Sequence, residues 1–293
     1  MKPFEIKIVF LMLAFFGSPF LFGQNTSETK KQVTTSEDSY LSVGLNFISD
    51  AVYMGRKDSI SAPYIFPTLT YHNKSGFYVT GSLSYLTKSN ESRVDLFLGT
   101  LGFDFSSDKF SGDISFTKYF FNNDSYNVIS EVEADITAMA RYDFNFLTTS
   151  LTFITFFNNG GSSDFILNPE ISHDFVSISG DFQISPAVGV YFGSQNFYEQ
   201  YYIYNRFGSG RGKGTGQTTT TTSTVVLNER DSFDLMAIEF SLPIWYVSDP
   251  ITVYGMPVLV IPQNPATLTV DSTIYEEDLE NVFYIVLGVK YKF

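Results

Sequence analysis

The chain reads as an all-β protein, a closed antiparallel transmembrane β-barrel of about 12 strands. Three observations predict this. The final stretch, Asn281 to Phe293, alternates without a break. Phe283, Ile285, Leu287, Val289, Tyr291 and Phe293 form one row, and Val282, Tyr284, Val286, Gly288, Lys290 and Lys292 the other. Successive side chains of a strand point to opposite faces, so this is an apolar face backed by a mixed one. Its length suits a tilted strand crossing a bilayer, which takes roughly 9–11 residues. The second observation is aromatic loading: 17% of the chain, with 31 Phe and 19 Tyr but one Trp. Such loading fits strands and membrane girdles better than helices. The third is a mean hydropathy close to zero with only one long apolar run. Helical spans would raise that average, whereas in a barrel the lipid-facing and inward-facing residues cancel.

The elements follow in order. Residues 1–23 read as a signal peptide: Lys2 and Lys7 flank an apolar run that ends at Gly23, too short for a stop-transfer helix. Residues 24–39 are polar and without periodicity, a disordered periplasmic lead-in. The barrel then occupies 40–293. Strands are expected at about 40–55, 62–72, 77–87, 93–105, 109–120, 128–142, 146–157, 164–175, 177–192, 233–246, 250–262 and 281–293. Leu41, Val43, Leu45 and Phe47 set the outward row of the opening strand, and Phe77, Val79, Leu83 and Tyr85 that of another. Asn73-Lys74-Ser75-Gly76, Ser106-Ser107-Asp108 and Asp143-Phe144-Asn145 read as short turns. With both termini periplasmic, the short turns fall on one side and the two longest connections, 193–232 and 263–279, on the other. That is the asymmetry of a membrane barrel, which has short periplasmic turns and longer external loops. A secreted β-sandwich also alternates, but its strands usually run to about 5–6 residues.

Two stretches carry resemblances. The terminal strand ending on Phe293 resembles the closing strand of Gram-negative outer-membrane β-barrels, whose last aromatic is read by the insertion machinery. The resemblance implies that Tyr291 and Phe293 meet that machinery, with outer-membrane lipid and lipopolysaccharide as surroundings. Ser49-Asp50-Ala51-Val52-Tyr53-Met54-Gly55-Arg56 with Lys74-Ser75-Gly76-Phe77-Tyr78 resembles the opening hairpin of a group of uncharacterised outer-membrane barrels, with the Gly-Arg order reversed. It implies location and architecture and brings no activity.

Several functions are disfavoured. A net charge of −13 argues against nucleic acid as a partner. The absence of cysteine removes disulfides and thiolate chemistry. No motif points to a cofactor or a metal. Outer-membrane hydrolases pair His with Ser or Asp near the external leaflet, but His72 and His173 both fall toward periplasmic ends, and His173 points away from its neighbours Ser172 and Asp174. An enzyme is therefore the third reading. By parity the inner wall carries Glu131, Glu133, Asp135, Glu170, Asp174, Asp181 and Glu239, with Arg141 as a basic partner. A lumen lined this way predicts a narrow diffusive pore for small neutral or cationic solutes, or else a structural barrel packed shut. The alternative is a surface binding module acting through the long external loop, where Tyr201, Tyr202, Tyr204, Arg206, Arg211 and Lys213 cluster around a Gly/Thr-rich tract.

Overall fold

The computed structural model describes residues 38–57, 61–88, 91–159, 162–201, 225–228, 232–270 and 273–293. The strands are β1 Tyr40–Ile48, β2 Tyr64–His72, β3 Phe77–Lys88, β4 Glu91–Ser106, β5 Phe110–Phe121, β6 Val132–Asp143, β7 Thr148–Asn158, β8 Asp164–Ser172, β9 Phe175–Val176, β10 Phe182–Ile184 and β11 Ala187–Gly193. A short helix, α1 Asn196–Tyr201, precedes β12 Val225–Asn228, β13 Asp234–Ser241, β14 Ile244–Ser248, β15 Ile251–Pro262, β16 Thr267–Val270, β17 Thr273–Glu276 and β18 Val282–Lys292.

Twelve spans close the ring. β1 to β8 pair in sequence, then β8 with β11, β11 with β13, β13 with β15, β15 with β18, and β18 returns to β1 from Ser42↔Lys292 to Ile48↔Val286. Every pairing is antiparallel, and the ring leaves no sheet edge facing hydrocarbon, where an unpaired backbone group has no water to bond. The remaining strands are continuations. β9 extends β8, β10 leads into β11, and β14 extends β13, each after a break at His173-Asp174, Ser185-Pro186 or Leu242-Pro243. The breaks lie side by side because the backbone bonds cross them in step: His173 N donates to Pro186 O, Ser185 N to Pro243 O and Leu242 N to Pro257 O. Proline has no N–H for the ladder, so the wall kinks along this line. β12, β16 and β17 form a separate three-stranded sheet at the end of the ring that carries the long connections, the end expected to be external, opposite the short-turn end expected to be periplasmic.

The expected outward rows face out. Leu45, Leu69, Phe77, Leu101, Ile114, Phe153, Leu287 and Val289 are exposed, as lipid-facing residues of a barrel must be. Aromatic rings gird the periplasmic end, with centroid separations of 4.9 Å for Phe77–Phe103, 4.6 Å for Tyr142–Phe144 and 4.7 Å for Tyr291–Phe293.

Several expectations need correction. The opening strand, expected to about residue 55, stops at Ile48. Asp50 turns the chain inward by accepting the backbone N–H groups of Ala51 (3.0 Å) and Ala62 (2.9 Å). Met54 (φ 48°) and Gly55 (φ 77°) then make a tight reversal, with Tyr53 and Arg56 exchanging both backbone hydrogen bonds at 2.9 Å. Two successive positive φ values are the requirement of a type I′ hairpin. The strand expected from about 128 begins at Val132. Within the long connection 193–232, residues 196–201 are helical, and Val225–Asn228 pairs with Thr267–Val270 of the other long connection. The signal peptide 1–23 and nearly all of the lead-in 24–39 lie outside the described residues.

Candidate functional site

The lumen is the site, and its external half is filled. The connection after β1 (Ala51, Tyr53, Met54), the connection between β5 and β6 (Tyr126, Val128, Ile129), α1 (Phe197, Tyr198) and Ala266 turn into the barrel. There they join the inward side chains Tyr64, Leu86, Leu98, Ile154, Phe156, Ile166, Tyr191, Met236, Val258 and Tyr284 in one apolar core. Phe197 is 0% exposed and packs edge-on to Tyr53 at 5.4 Å and to Phe156 at 6.1 Å. These segments are loops by sequence position, yet their apolar residues are buried as deeply as the wall's own.

Three polar latches hold the plug to the wall. Asp164, at the start of β8 and fully buried, accepts from Ser194 Oγ (2.6 Å), Asn196 N (2.7 Å), Phe197 N (2.7 Å) and Asn158 Nδ2 (2.6 Å). It caps the opening turn of α1, whose first N–H groups have no helical partner. Asp95, near the external end of β4, accepts from Ser125 Oγ (2.8 Å), from Arg93 Nε (2.9 Å) and from Tyr64 Oη, tying the β5–β6 connection to the wall. Arg56, 1% exposed, donates to Asn264 O (2.9 Å), Gln263 O (3.3 Å) and Met54 O (3.4 Å). It also pairs with Glu277 Oε2 at 3.3 Å and lies over the Tyr198 ring at 5.4 Å. Glu277 in turn accepts from Ala266 N (3.0 Å) and Tyr198 Oη (2.5 Å). Gly55 seats this latch, since a Cβ there would come within 2.6 Å of Pro262.

Carboxylates line the wall around the plug. Asp135 accepts from Tyr119 Oη and Thr137 Oγ1, both at 2.7 Å. Glu170 and Glu239 flank Gly189 on β11, and Glu170 and Arg141 flank Ser150 on β7. Burial above all, and then the charges of Asp164, Asp135 and Glu239, push the Tyr53 phenol well above its ordinary pKa. The reversal that carries Tyr53 thus reaches the acidic layer.

Below this layer the lumen is polar. Ser42, Thr70, Thr80, Thr100, Ser115, Thr117 and Thr152 face inward, with Thr70–Thr80 and Thr100–Thr117 hydroxyl pairs at 2.9 and 3.1 Å. The periplasmic mouth holds His72, bonded to Asp104 at 2.9 Å and stacked on Tyr40 at 5.0 Å, with Lys292 Nζ over the Tyr40 ring, 4.2 Å from its centroid.

Of the expected inner-wall residues, Glu131, Asp135, Glu170 and Glu239 are buried and Arg141 is half-buried on the inward row. Glu133 is a correction. A β-bulge between Val132 and Ala134 shifts the register by one residue and turns Glu133 to the outer face, where it pairs with Lys118 at 3.0 Å. Asp174 sits in the break between β8 and β9, accepting from Ser185 Oγ at 2.7 Å, and Asp181 lies in the periplasmic turn before β10. Tyr201 ends α1, and Tyr202, Tyr204, Arg206, Arg211 and Lys213 lie outside the described residues. Tyr53, Arg56, Asp164 and Glu277 were not foreseen as site residues. The only available signal was the Met54-Gly55 pair, which fits a tight reversal.

A closed ring with an apolar outer belt, aromatic girdle and internal polar and plugged layers defines a transmembrane β-barrel. No protein-family model matches the chain, and no curated protein matches it. Among solved structures it is similar to "KdgM porin" (12% identity, TM-score 0.46, covering 86% of this chain and 99% of that one). It is also similar to "NanC porin structure in rhombohedral crystal form" (10%, 0.46, 86% and 98%) and "LpxR from Salmonella typhimurium" (10%, 0.42, 85% and 99%).

Proposed function

We propose that this barrel is a path for small neutral or cationic solutes that rests closed at its external end. The supporting observation is that the seal is made of connections folded into the lumen, while the wall beneath is lined by hydroxyls and carboxylates. The carboxylates Asp135, Asp164, Glu170 and Glu239 would favour cations over anions in any path that forms beside them. Transport then requires the plug to shift.

Planar bilayers test the reading. The wild-type protein is expected to give no current steps. A variant with a loosened plug, Arg56→Ala with Phe197→Ser, is expected to give steps with cation preference, and Asp135→Asn in that background should weaken the preference. If loosened variants that still fold stay silent, the barrel is structural. That second reading is favoured by the depth of burial of Phe197, Val128 and Phe156.

A further inference from the structure

The outer wall carries a charge pair where lipid should see only apolar groups. Lys118 on β5 and Glu133 on β6 join at 3.0 Å with side chains 38% and 53% exposed. Below them lie Phe116 and Ile136, and above lies Phe120, all exposed. Among the described residues, the outward rows of β3 to β7 hold no other charge. The wall is recessed beside the pair: a Cβ added at Gly99, the cross-strand neighbour of Lys118, or at Gly81 beyond it would meet nothing within 4 Å.

We propose that this face of β4, β5 and β6 is a docking surface for a second copy of the same chain. Two copies inserted the same way round can be related by a two-fold axis along the membrane normal, and such an interface is self-complementary. Lys118 and Glu133 stand side by side on neighbouring strands. An axis passing between those strands sets each Lys118 against Glu133 of the partner subunit, and the reverse. The pair is neutral overall, so it offers little to an anionic headgroup, but it meets its own mirror arrangement with both charges matched. At the boundary of the hydrocarbon, where little water competes, such cross-pairing is stronger than in bulk solvent. The recess at Gly99 lets the two walls approach.

Charge reversal tests this. Wild-type protein in mild detergent or native-membrane discs is expected to be dimeric by light scattering. Lys118→Glu alone and Glu133→Lys alone each place like charges across the axis, and the dimer fraction of each should fall at least tenfold. Co-expressed under different tags, the two variants should purify together, because every cross-contact is then matched. An Ile136→Cys variant should form an intersubunit disulfide on oxidation, with no background in a chain that lacks cysteine. Heat-modifiable gel migration confirms that each variant folds. A monomeric wild type overturns the proposal, as do single reversals that dimerise normally. If the wild type is monomeric and Lys118→Glu instead changes co-purifying phosphorylated lipid, the pair serves a headgroup and the proposal also fails.

Discussion

At the scale of single residues, the carboxylates inside this barrel divide by what they bond. Asp164 collects at least four donors: Ser194 Oγ, Asn196 N and Phe197 N from the segment that enters above it, and Asn158 Nδ2 from the end of β7. Asp164→Asn keeps the shape but loses the charge and one acceptor oxygen, leaving a buried N–H of α1 without a partner. That loss costs on the order of 1–3 kcal/mol. We expect a lower midpoint for the loss of heat-modifiable migration, while barrel strand content by circular dichroism stays unchanged below that midpoint. The same scale shows the limit of parity. Alternation placed Asp135 and Glu170 on the inner wall, and the structure agrees. It also placed Glu133 there, and one inserted residue reversed it, because a period of two carries no memory of a bulge. Asp164 escaped notice because Ser194 Oγ and the backbone N–H groups of Asn196 and Phe197 reach it from 30, 32 and 33 residues on, a relation no local spacing encodes.

At the scale of elements, the strands were legible and the connections were not. Rows such as Leu41-Val43-Leu45 and the closing row to Phe293 repeat over enough residues for the membrane face to be read directly. Tyr126, Val128 and Ile129 are apolar without a period, and nothing local says that they turn into the lumen. The same holds for the stretch 49–57, which continues the opening strand in its apolar content but leaves it in space. The breaks before β9, in front of β11 and before β14 follow from Pro186 and Pro243, legible as prolines though not as an aligned line. The Arg56–Glu277 latch joins two such connections. Removing one member of a buried pair strands the other, typically at about 3–5 kcal/mol. Arg56→Met and Glu277→Gln should therefore each lower thermal stability strongly. The double variant should lose clearly less than the sum of the two, a coupling measurable by a double-mutant cycle.

At the scale of the whole molecule, β18 is the strand on which closure depends. It pairs with β15 on one side and with β1 on the other, and Phe293 N donates to Leu41 O at 2.8 Å. Tyr291 and Phe293 are exposed on the aromatic girdle, and the role proposed for the final aromatic is recognition during insertion. Deleting Phe293 should lower the yield of heat-modifiable protein in the outer membrane by several-fold, with the unassembled chain recovered from the periplasm. A yield equal to wild type would remove the role proposed for the final aromatic.

The seal itself is shared out. It draws on stretches near the beginning, the middle and the end of the chain, the first and last fastened to each other through Arg56 and Glu277 and the middle ones held by Asp95 and Asp164. Loosening a single fastening leaves the remaining ones to hold the stopper, so opening a path through the lumen should take damage at more than one of them.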